Sequence, residues 1–195
     1  MAAGDERDDA ELLSSYLKGD GAAFDLLFAR HRDAIYSYLR YHLDDVSAAD
    51  DLFQELWGRV IRHAPRFKAI SFKAWLWRIA RNLLIDRIRR SKPTLSLDAP
   101  AGGGEAETTP MGEFLPSEEA GPLQRLVDRE TGEAIRRALA ILTPRQRDVF
   151  LLRTESQLSF KEVADLLNIP LNTALGCMRD AMLKLRAHLE KELNR

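Results

Sequence analysis

The sequence lacks the features that mark secreted, disulfide-stabilised and membrane-spanning proteins. Cys177 is the only cysteine, so no internal disulfide can form, and this favours a reducing, cytoplasmic setting. No apolar run approaches the roughly 18 residues that a membrane-spanning helix needs, which predicts no membrane insertion. The N-terminus, MAAGDERDDAELL, is acidic and lacks the basic-then-apolar layout of a signal peptide.

Signatures of the common enzyme classes are also missing. The chain contains no GxxxxGK[ST], HExxH, CxxC or GxSxG motif, and its four histidines are scattered without metal-ligand spacing. The stretch GGGE at 102–105 lies in a polar segment rather than between a strand and a helix, which argues against a phosphate-binding loop. The sequence therefore predicts no enzymatic activity and no metal or cofactor site.

Signals for β-structure are equally scarce. No segment alternates steadily between apolar and polar residues, and no Asn-Gly or Asp-Gly hairpin turn is present. Helical patterns instead cover 9–18, 21–43, 47–63, 71–90, 122–141, 144–154, 160–167 and 171–192. The intervening stretch is rich in Pro, Gly, Thr and acids and has too little apolar content to fold alone. We predict an all-α fold with two small helical domains, 9–90 and 122–192, joined by a flexible acidic linker at 91–121.

The net charge of −1 conceals two stretches of opposite sign. From Asp5 to Glu55 there are thirteen acids against five Lys or Arg residues. From Arg59 to Arg90 there are ten basic residues and the single acid Asp86. Scattered charge usually means a solvated helix face, but here the charges are nearly all of one sign and alternate with aromatic residues. This basic stretch therefore predicts a nucleic-acid surface.

The helix at 47–63 separates an apolar stripe from an acidic face. Ser47 is the expected N-cap, with Asp50 three residues on. At roughly 100° per residue, one side of the helix is the expected core, formed by Phe53, Leu56, Trp57 and Val60. The opposite side carries Asp51, Gln54, Glu55 and Gly58. The pattern alone favours an ordinary solvated surface for these acids.

The helix at 71–90 places a basic face opposite its core stripe. The expected buried residues are Phe72, Leu76, Ile79, Ala80 and Leu83, and the opposite side carries Arg78, Arg81, Asn82 and Arg89, flanked by Trp75. Arginine gives bidentate phosphate contacts, and an aromatic ring offers a surface on which an unpaired base can stack. The combination favours single-stranded or melted nucleic acid. Tryptophans in helices are mostly core residues, so we expect at least one of Trp75 and Trp77 to be buried.

The C-terminal part contains two capped helices separated by a turn. Thr143 with Gln146 and Ser159 with Glu162 form capping boxes, and Pro144 takes the first helical position. The residues 168–170 make a turn, and the apolar stripe continues beyond it through Ala174, Met178, Ala181 and Leu185. Helix hairpins in bundles mimic this pattern, but beside a second basic module it favours a DNA-binding helix-turn-helix.

Three segments in this order resemble a known family. AADDLFQELW, FKAWLWRIARNLLIDRIRR and LTPRQRDVFLLRTESQLSFKEVADLLNIPLNTALGCMRDAMLKLR resemble parts of bacterial sigma-70 family sigma factors of the extracytoplasmic-function (ECF) group. In that family these segments bind polymerase, open the −10 promoter element and dock on the −35 element, respectively. The resemblance covers about 9–90 and 122–190.

The resemblance implies partners and roles for particular residues. Asp51, Gln54 and Glu55 would dock on the β′ clamp helices of bacterial core RNA polymerase, whose β flap is a further expected contact. Binding of −10 DNA would involve the loop segment RFKAIS, with Arg66, Phe67 and Lys68, and the helix that follows it. The residues expected to bind from that helix are Trp75, Arg78, Arg81, Asn82 and Arg89. An anti-sigma factor is an expected partner. The alternative is a stand-alone helix-turn-helix regulator, which needs a dimer surface or effector pocket where this chain has a second basic domain.

The helix expected to read the −35 element departs from the family. It has Leu175, Gly176 and Cys177 where the family commonly has Lys, Ser and Arg. Because Ala174 and Met178 face the core, we expect Leu175 and Cys177 to point outward, so a bidentate Arg–guanine contact is missing at Cys177. Base contacts are expected from Asn172, Thr173 and Leu175, and phosphate contacts from Arg179, Lys184 and Arg186. A redox role for Cys177 has no cationic neighbour in sequence to support it.

Overall fold

The protein is helical throughout the part of the chain that the structure describes. This computed structural model describes residues 6–68, 71–91 and 122–193, and no strand occurs in these ranges. The helices are α1 (Asp9–Leu17), α2 (Gly21–His42), α3 (Val46–His63), α4 (Phe72–Ser91), α5 (Pro122–Ala140), α6 (Pro144–Ser156), α7 (Phe160–Leu167) and α8 (Leu171–Leu193), with a 3₁₀ turn at Ala64–Arg66. None of the described helices is both long enough and apolar enough to span a membrane.

Side-chain caps explain where most of these helices begin. The two predicted capping boxes are present: Thr143 with Gln146 starts α6, and Ser159 with Glu162 starts α7. The predicted N-cap of α3 is wrong, because Asp45 caps that helix and accepts a hydrogen bond from the backbone N–H of Ser47 at 3.0 Å. Asp45 is as good a capping residue as serine, and its negative charge also suits the positive end of the helix dipole.

Helices α1 to α4, here called the N-terminal module, pack around large aromatic side chains. Trp57 is fully buried, and its ring lies 4.8 Å from that of Phe28 and 5.9 Å from that of Phe24, measured between centroids. Tyr38 is also fully buried, 5.3 Å from the ring of Trp77. Edge-on and tilted contacts of this kind add to the stabilisation that burial gives. The predicted core stripes of α3 and α4 are therefore confirmed, although Phe53 and Ile79 are only half-buried.

Helices α5 to α8, here called the C-terminal module, form the predicted helix-turn-helix. The turn after α7 is made by Asn168, whose backbone adopts the left-handed conformation with φ 53° and ends the helix. Helix α8 packs against both α6 and α7. The small residues Ala164, Ala174 and Ala181 are buried, which lets the helices approach closely.

The two modules also pack against one another. Helix α6 lies against α2, helix α7 lies against α4, and the buried apolar side chains of both modules form one continuous cluster. The predicted all-α fold with two helical modules is confirmed, but contact between the modules was not predicted. The predicted linker falls outside the described residues except for Ser91, which belongs to α4 rather than to the linker.

Candidate nucleic-acid interface

The acidic residues of α3 lie on the surface of the N-terminal module. Asp51, Gln54 and Glu55 are exposed, and Leu52 and Leu56 on the other side of the helix are buried. The Glu55 carboxylate accepts a hydrogen bond from Arg59 Nη2 at 2.6 Å, one helical turn further on. The charge of Glu55 is thus partly offset within the helix, whereas no ion pair involves Asp51 among the described residues.

A groove of about 230 Å³ lies beside this acidic surface, between α3 and α4. Its polar lining comes from Asp51 and Glu55 on α3 and from Asp86, Arg87 and Arg90 on α4. The groove therefore joins the acidic surface to the basic end of α4. The groove thus has acids on its α3 side, and two arginines beside Asp86 on its α4 side.

The segment before α4 combines two exposed cations with an aromatic pair. Arg66 and Lys68 are exposed, and the half-buried Phe67 packs on Trp75 with 5.0 Å between ring centroids. Phe72 lies 5.7 Å from Trp75 on the core side. Residues 69 and 70 of this predicted base-binding loop lie outside the described ranges. The result is an aromatic surface flanked by positive charge at the start of α4, as base stacking requires.

The basic face of α4 is only partly open. Arg78, Asn82 and Arg89 are exposed, as predicted. Trp77 is 1% exposed and Trp75 is half-buried, so the expectation that at least one tryptophan is buried is confirmed. Arg81 is less exposed than the other predicted residues of this face. Its side chain is 21% exposed, and its Nη2 atom lies 3.9 Å from Asp148 Oδ2 in α6.

Helix α8 presents one coherent exposed face. Asn172, Leu175, Arg179 and Arg186 are all exposed and fall on the same side of the helix at roughly 100° per residue. Leu175 is 43% exposed, as predicted. Two of the cations already have acidic neighbours: Arg179 lies 3.3 Å from Asp180, and Arg186 lies 2.9 Å from Glu190. Such exposed pairs exchange readily for contacts to phosphate, because they contribute little free energy.

The other predicted residues of α8 lie on an adjacent face, where Lys184 is exposed but Cys177 and Thr173 are not. Cys177 is half-buried and packs against the hydrophobic core, so the prediction that it points outward is wrong. The core stripe of α8 is wider than its alanines indicate, because α6 and α7 both pack against this helix. Thr173 is also half-buried, and Lys184 Nζ donates a hydrogen bond to Gln146 Oε1 at 2.9 Å.

Three polar residues meet where the two modules pack together, and the sequence does not predict this contact: His42, Asp148 and Tyr38. His42 Nε2 lies 2.9 Å from Asp148 Oδ1, although the two residues are 106 positions apart. Tyr38 is fully buried beside them, and burial, reinforced by the charge of Asp148, raises the pKa of its hydroxyl. No helical periodicity or spacing rule links residues so distant in sequence, so only the tertiary fold identifies this group.

Family profiles match both modules. Residues 27–94 match sigma-70 region 2, and residues 132–174 match sigma-70 region 4. The chain is 34% identical over 157 residues to the ECF RNA polymerase sigma factor SigW of Bacillus subtilis, covering 80% of this chain and 83% of that protein. It is 30% identical over 189 residues to the ECF RNA polymerase sigma factor SigM of Mycobacterium tuberculosis, covering 96% of this chain and 86% of that protein.

Solved structures share the fold. The structure of CnrH in complex with the cytosolic domain of CnrY matches with a TM-score of 0.66 at 22% identity, covering 94% of this chain and 97% of the matched one. The sigma factor RpoE of Bartonella quintana, solved with the anti-sigma factor NepR, matches with a TM-score of 0.59 at 19% identity, covering 86% and 96%. At this level of identity the likeness concerns the fold of the two helical modules.

Proposed function

This chain belongs to the extracytoplasmic-function group of sigma-70 family RNA polymerase sigma factors, and we propose how its surfaces divide the work of promoter recognition. The N-terminal module, about 9–90, binds core RNA polymerase and the −10 element. The C-terminal module, about 122–192, binds the −35 element. Residues 91–121 join the two. The protein acts as a specificity factor rather than an enzyme, and its site of action is the cytoplasm.

One observation carries this division of roles. The exposed acidic residues of α3 and the exposed basic residues of α4 lie on different helices of one module. A protein partner and a DNA strand can therefore bind this module at the same time. The acidic face suits the β′ clamp helices of polymerase.

Binding of the −10 element rests on the start of α4. Extruding a base from duplex DNA costs a few kcal/mol and needs a surface that offsets this cost. The packed rings of Phe67 and Trp75 offer a stacking surface, with Arg66 and Lys68 beside it for the phosphates. Arg78, Asn82 and Arg89 extend this surface along the helix. Arg81 lies at the edge of this surface, where its Nη2 atom is 3.9 Å from Asp148 Oδ2.

Binding of the −35 element rests on the exposed face of α8. Asn172 lies in the first turn, where a recognition helix meets base edges, and Leu175 can contact a thymine methyl group. Arg179 and Arg186 contact phosphates, with Lys184 and Thr173 at the edge of the surface. The half-buried Cys177 offers no bidentate contact to guanine. We therefore expect a −35 interaction that depends more on DNA shape and phosphates than on particular bases.

Two further partners are part of the proposal. The C-terminal module contacts the β flap of polymerase as it places α8 on DNA. An anti-sigma factor is the second partner, by analogy with the sigma factor RpoE, whose structure was solved in complex with the anti-sigma factor NepR. The exposed apolar residues of α8, among them Met182, Leu183 and Leu189, suit either partner.

Core polymerase binding tests the central part of this proposal. Reversing the acidic face with Asp51→Lys and Glu55→Lys, together with Gln54→Ala, should weaken binding to core polymerase by more than about tenfold, because like charges then face one another. The matched control reverses two exposed acids of α2, Asp25→Lys and Asp33→Lys. Fluorescence anisotropy measures the affinity, and circular dichroism checks the fold. Unchanged affinity in the α3 variant, with its fold intact, would reject the docking surface.

A further inference from the structure

The first turns of α3, which carry the proposed docking residues Asp51 and Gln54, are weakly anchored by the core. Their buried side chains are mostly alanines: Ala48, Ala49 and Leu52. An alanine buries little apolar area and so contributes little free energy. The large core residue Trp57 follows only later in the helix. Contacts other than the alanines are therefore needed to hold this end of α3 in place.

A tyrosine of α2 supplies such contacts. Tyr36 Oη donates a hydrogen bond to Asp50 Oδ1 of α3 at 2.8 Å. The Tyr36 ring also meets the ring of Phe53 edge-on, with 5.5 Å between the centroids. A hydrogen bond to a carboxylate is stronger than one between neutral groups. One residue of α2 thus holds α3 by a polar and an apolar contact, at two positions that flank Asp51 in the chain.

The surroundings of Tyr36 favour this hydrogen bond. The side chain is half-buried, and burial, together with the hydrogen bond to Asp50 and its charge, raises the pKa of the Tyr36 hydroxyl to about 12. The hydroxyl therefore keeps its proton at neutral pH and can donate it to the carboxylate. Asp50 is also half-buried, whereas the next residue, Asp51, is exposed. Of these two neighbouring acids, one is directed to Tyr36 and the other to solvent.

We propose that Tyr36 is a positioning residue for polymerase binding, because through Asp50 and Phe53 it fixes the start of α3, and with it the acidic face, against α2. Tyr36 acts through α3 rather than by touching polymerase. The inference deepens the proposed function and rests on the docking role of the acidic face. Binding costs less free energy when the contact residues are already ordered in the free protein. Loss of the Tyr36 hydroxyl should therefore weaken polymerase binding and leave the DNA-binding surfaces of α4 and α8 unaffected.

Removal of the hydroxyl alone tests this role. Tyr36→Phe keeps the ring that packs on Phe53 but loses the hydrogen bond to Asp50. It should raise the Kd for core polymerase about three- to tenfold, because apparent affinity scales with the fraction of molecules in the binding-competent form. The matched control Tyr16→Phe makes the same change in α1, where the ring packs on Phe24 at 5.0 Å between centroids. Binding to a single-stranded oligonucleotide of −10 type should stay unchanged in both variants.

Variants of Asp50 separate positioning from direct contact with polymerase. Asp50→Asn keeps an oxygen that can accept from Tyr36, so it should bind polymerase nearly as well as the unsubstituted chain. Asp50→Leu should lose as much affinity as Tyr36→Phe. The combination of Tyr36→Phe and Asp50→Leu should lose no more than either change alone, since both remove the same bond. Equal losses in Asp50→Asn and Asp50→Leu would show that the charge of Asp50 meets polymerase itself, and would overturn the inference.

Hydrogen exchange tests the positioning without polymerase. In Tyr36→Phe the amides at the start of α3 should exchange faster, while those of α4 and α8 keep their protection. Unchanged exchange at α3, or an equal loss of protection throughout the protein, would overturn the inference. So would unchanged polymerase affinity of Tyr36→Phe when reversal of the acidic face still weakens binding. If that reversal has no effect either, the docking surface itself is wrong and the inference is overturned with it.

Discussion

The two modules build their cores from different side chains. The N-terminal module buries Trp57, Trp77 and Tyr38 completely, whereas the C-terminal module buries residues such as Leu152, Val163 and alanines. Their surfaces also differ, because the C-terminal module exposes more large apolar side chains. Five large apolar side chains of α8 are exposed, at positions 171, 175, 182, 183 and 189, whereas the described part of the N-terminal module exposes only Leu17 and Val46 in this class.

This difference indicates how each module is stabilised. Aromatic side chains bury a large area each, so a four-helix module can form a sufficient core from its own residues. Among the residues whose side chains the structure describes, the C-terminal module has a smaller core and leaves apolar surface uncovered, as binding surfaces commonly do. It therefore depends more on helix caps, on contact with the N-terminal module and on partners. Three changes should show the contrast.

The largest effect is expected in the aromatic core. Trp57→Ala removes a ring that contacts Phe24, Phe28 and Phe53, and should lower the free energy of unfolding by about 3–5 kcal/mol. The control Leu183→Ala removes an exposed apolar side chain of α8 and should change it by less than about 0.5 kcal/mol. Urea unfolding followed by circular dichroism measures both. Similar losses in the two variants would contradict the contrast between the modules.

A smaller effect is expected at a helix cap of the C-terminal module. Ser159 Oγ accepts a hydrogen bond from the backbone N–H of Glu162 at 3.2 Å and starts α7. Ser159→Ala should cost about 1 kcal/mol. The loss should appear as faster hydrogen exchange of the α7 and α8 amides while those of α3 and α4 keep their protection. The control Ser14→Ala, an exposed position within α1, should have no such effect.

The smallest effect is expected in the pH dependence of stability, to which each module contributes through a different carboxylate. Burial acts to raise the pKa of Asp9, but hydrogen bonds from His31 and Arg30 outweigh it and hold that pKa below its usual value. In the C-terminal module, hydrogen bonds from Ser159 lower the pKa of Glu162. A carboxyl group with a lowered folded pKa contributes stability above its unfolded pKa of about 4, and this contribution is lost as the pH falls through the folded pKa.

Acidification should therefore destabilise both modules, each through its own carboxylate. All three tryptophans belong to the N-terminal module, so their fluorescence follows the unfolding of that module. Asp9→Asn should flatten the loss of stability below about pH 4 in this signal, because the group that takes up the proton is gone. Glu162→Gln should leave the same signal unchanged. An equal effect of both variants would show that the modules unfold as one unit.

Features that depend on residues close together in the chain, such as helix bounds and caps, are predictable from the sequence. Helix bounds were within a few residues, and the capping boxes at Thr143 and Ser159 were found, because a cap involves residues only three positions apart. The start of α3 was missed because Asp45 and Ser47 are both good caps and only the folded backbone selects between them.

Tertiary contacts decide the features that the sequence did not predict. The half-buried position of Cys177 depends on helices that pack against α8 from two sides. The meeting of His42, Arg81 and Asp148 depends on how two modules dock, and no local pattern encodes it. Site residues on exposed helix faces are therefore predictable from the sequence. The pairing of Arg81 with Asp148 is not, because it depends on the docking of the two modules.

Selection from a promoter library tests the central claim, that the two modules read separate promoter elements for core polymerase. Run-off transcription with core polymerase and this protein, on templates randomised upstream of the start site, selects active promoters for sequencing. We expect a two-part motif with a sharp −10 element and a weak −35 element. A combined Arg78→Ala and Asn82→Ala variant should lower the yield without changing the −35 preference, whereas Leu175→Ala should change only that preference. Absence of a specific start site, or a sharp guanine-containing −35 motif unaffected by Leu175→Ala, would contradict it.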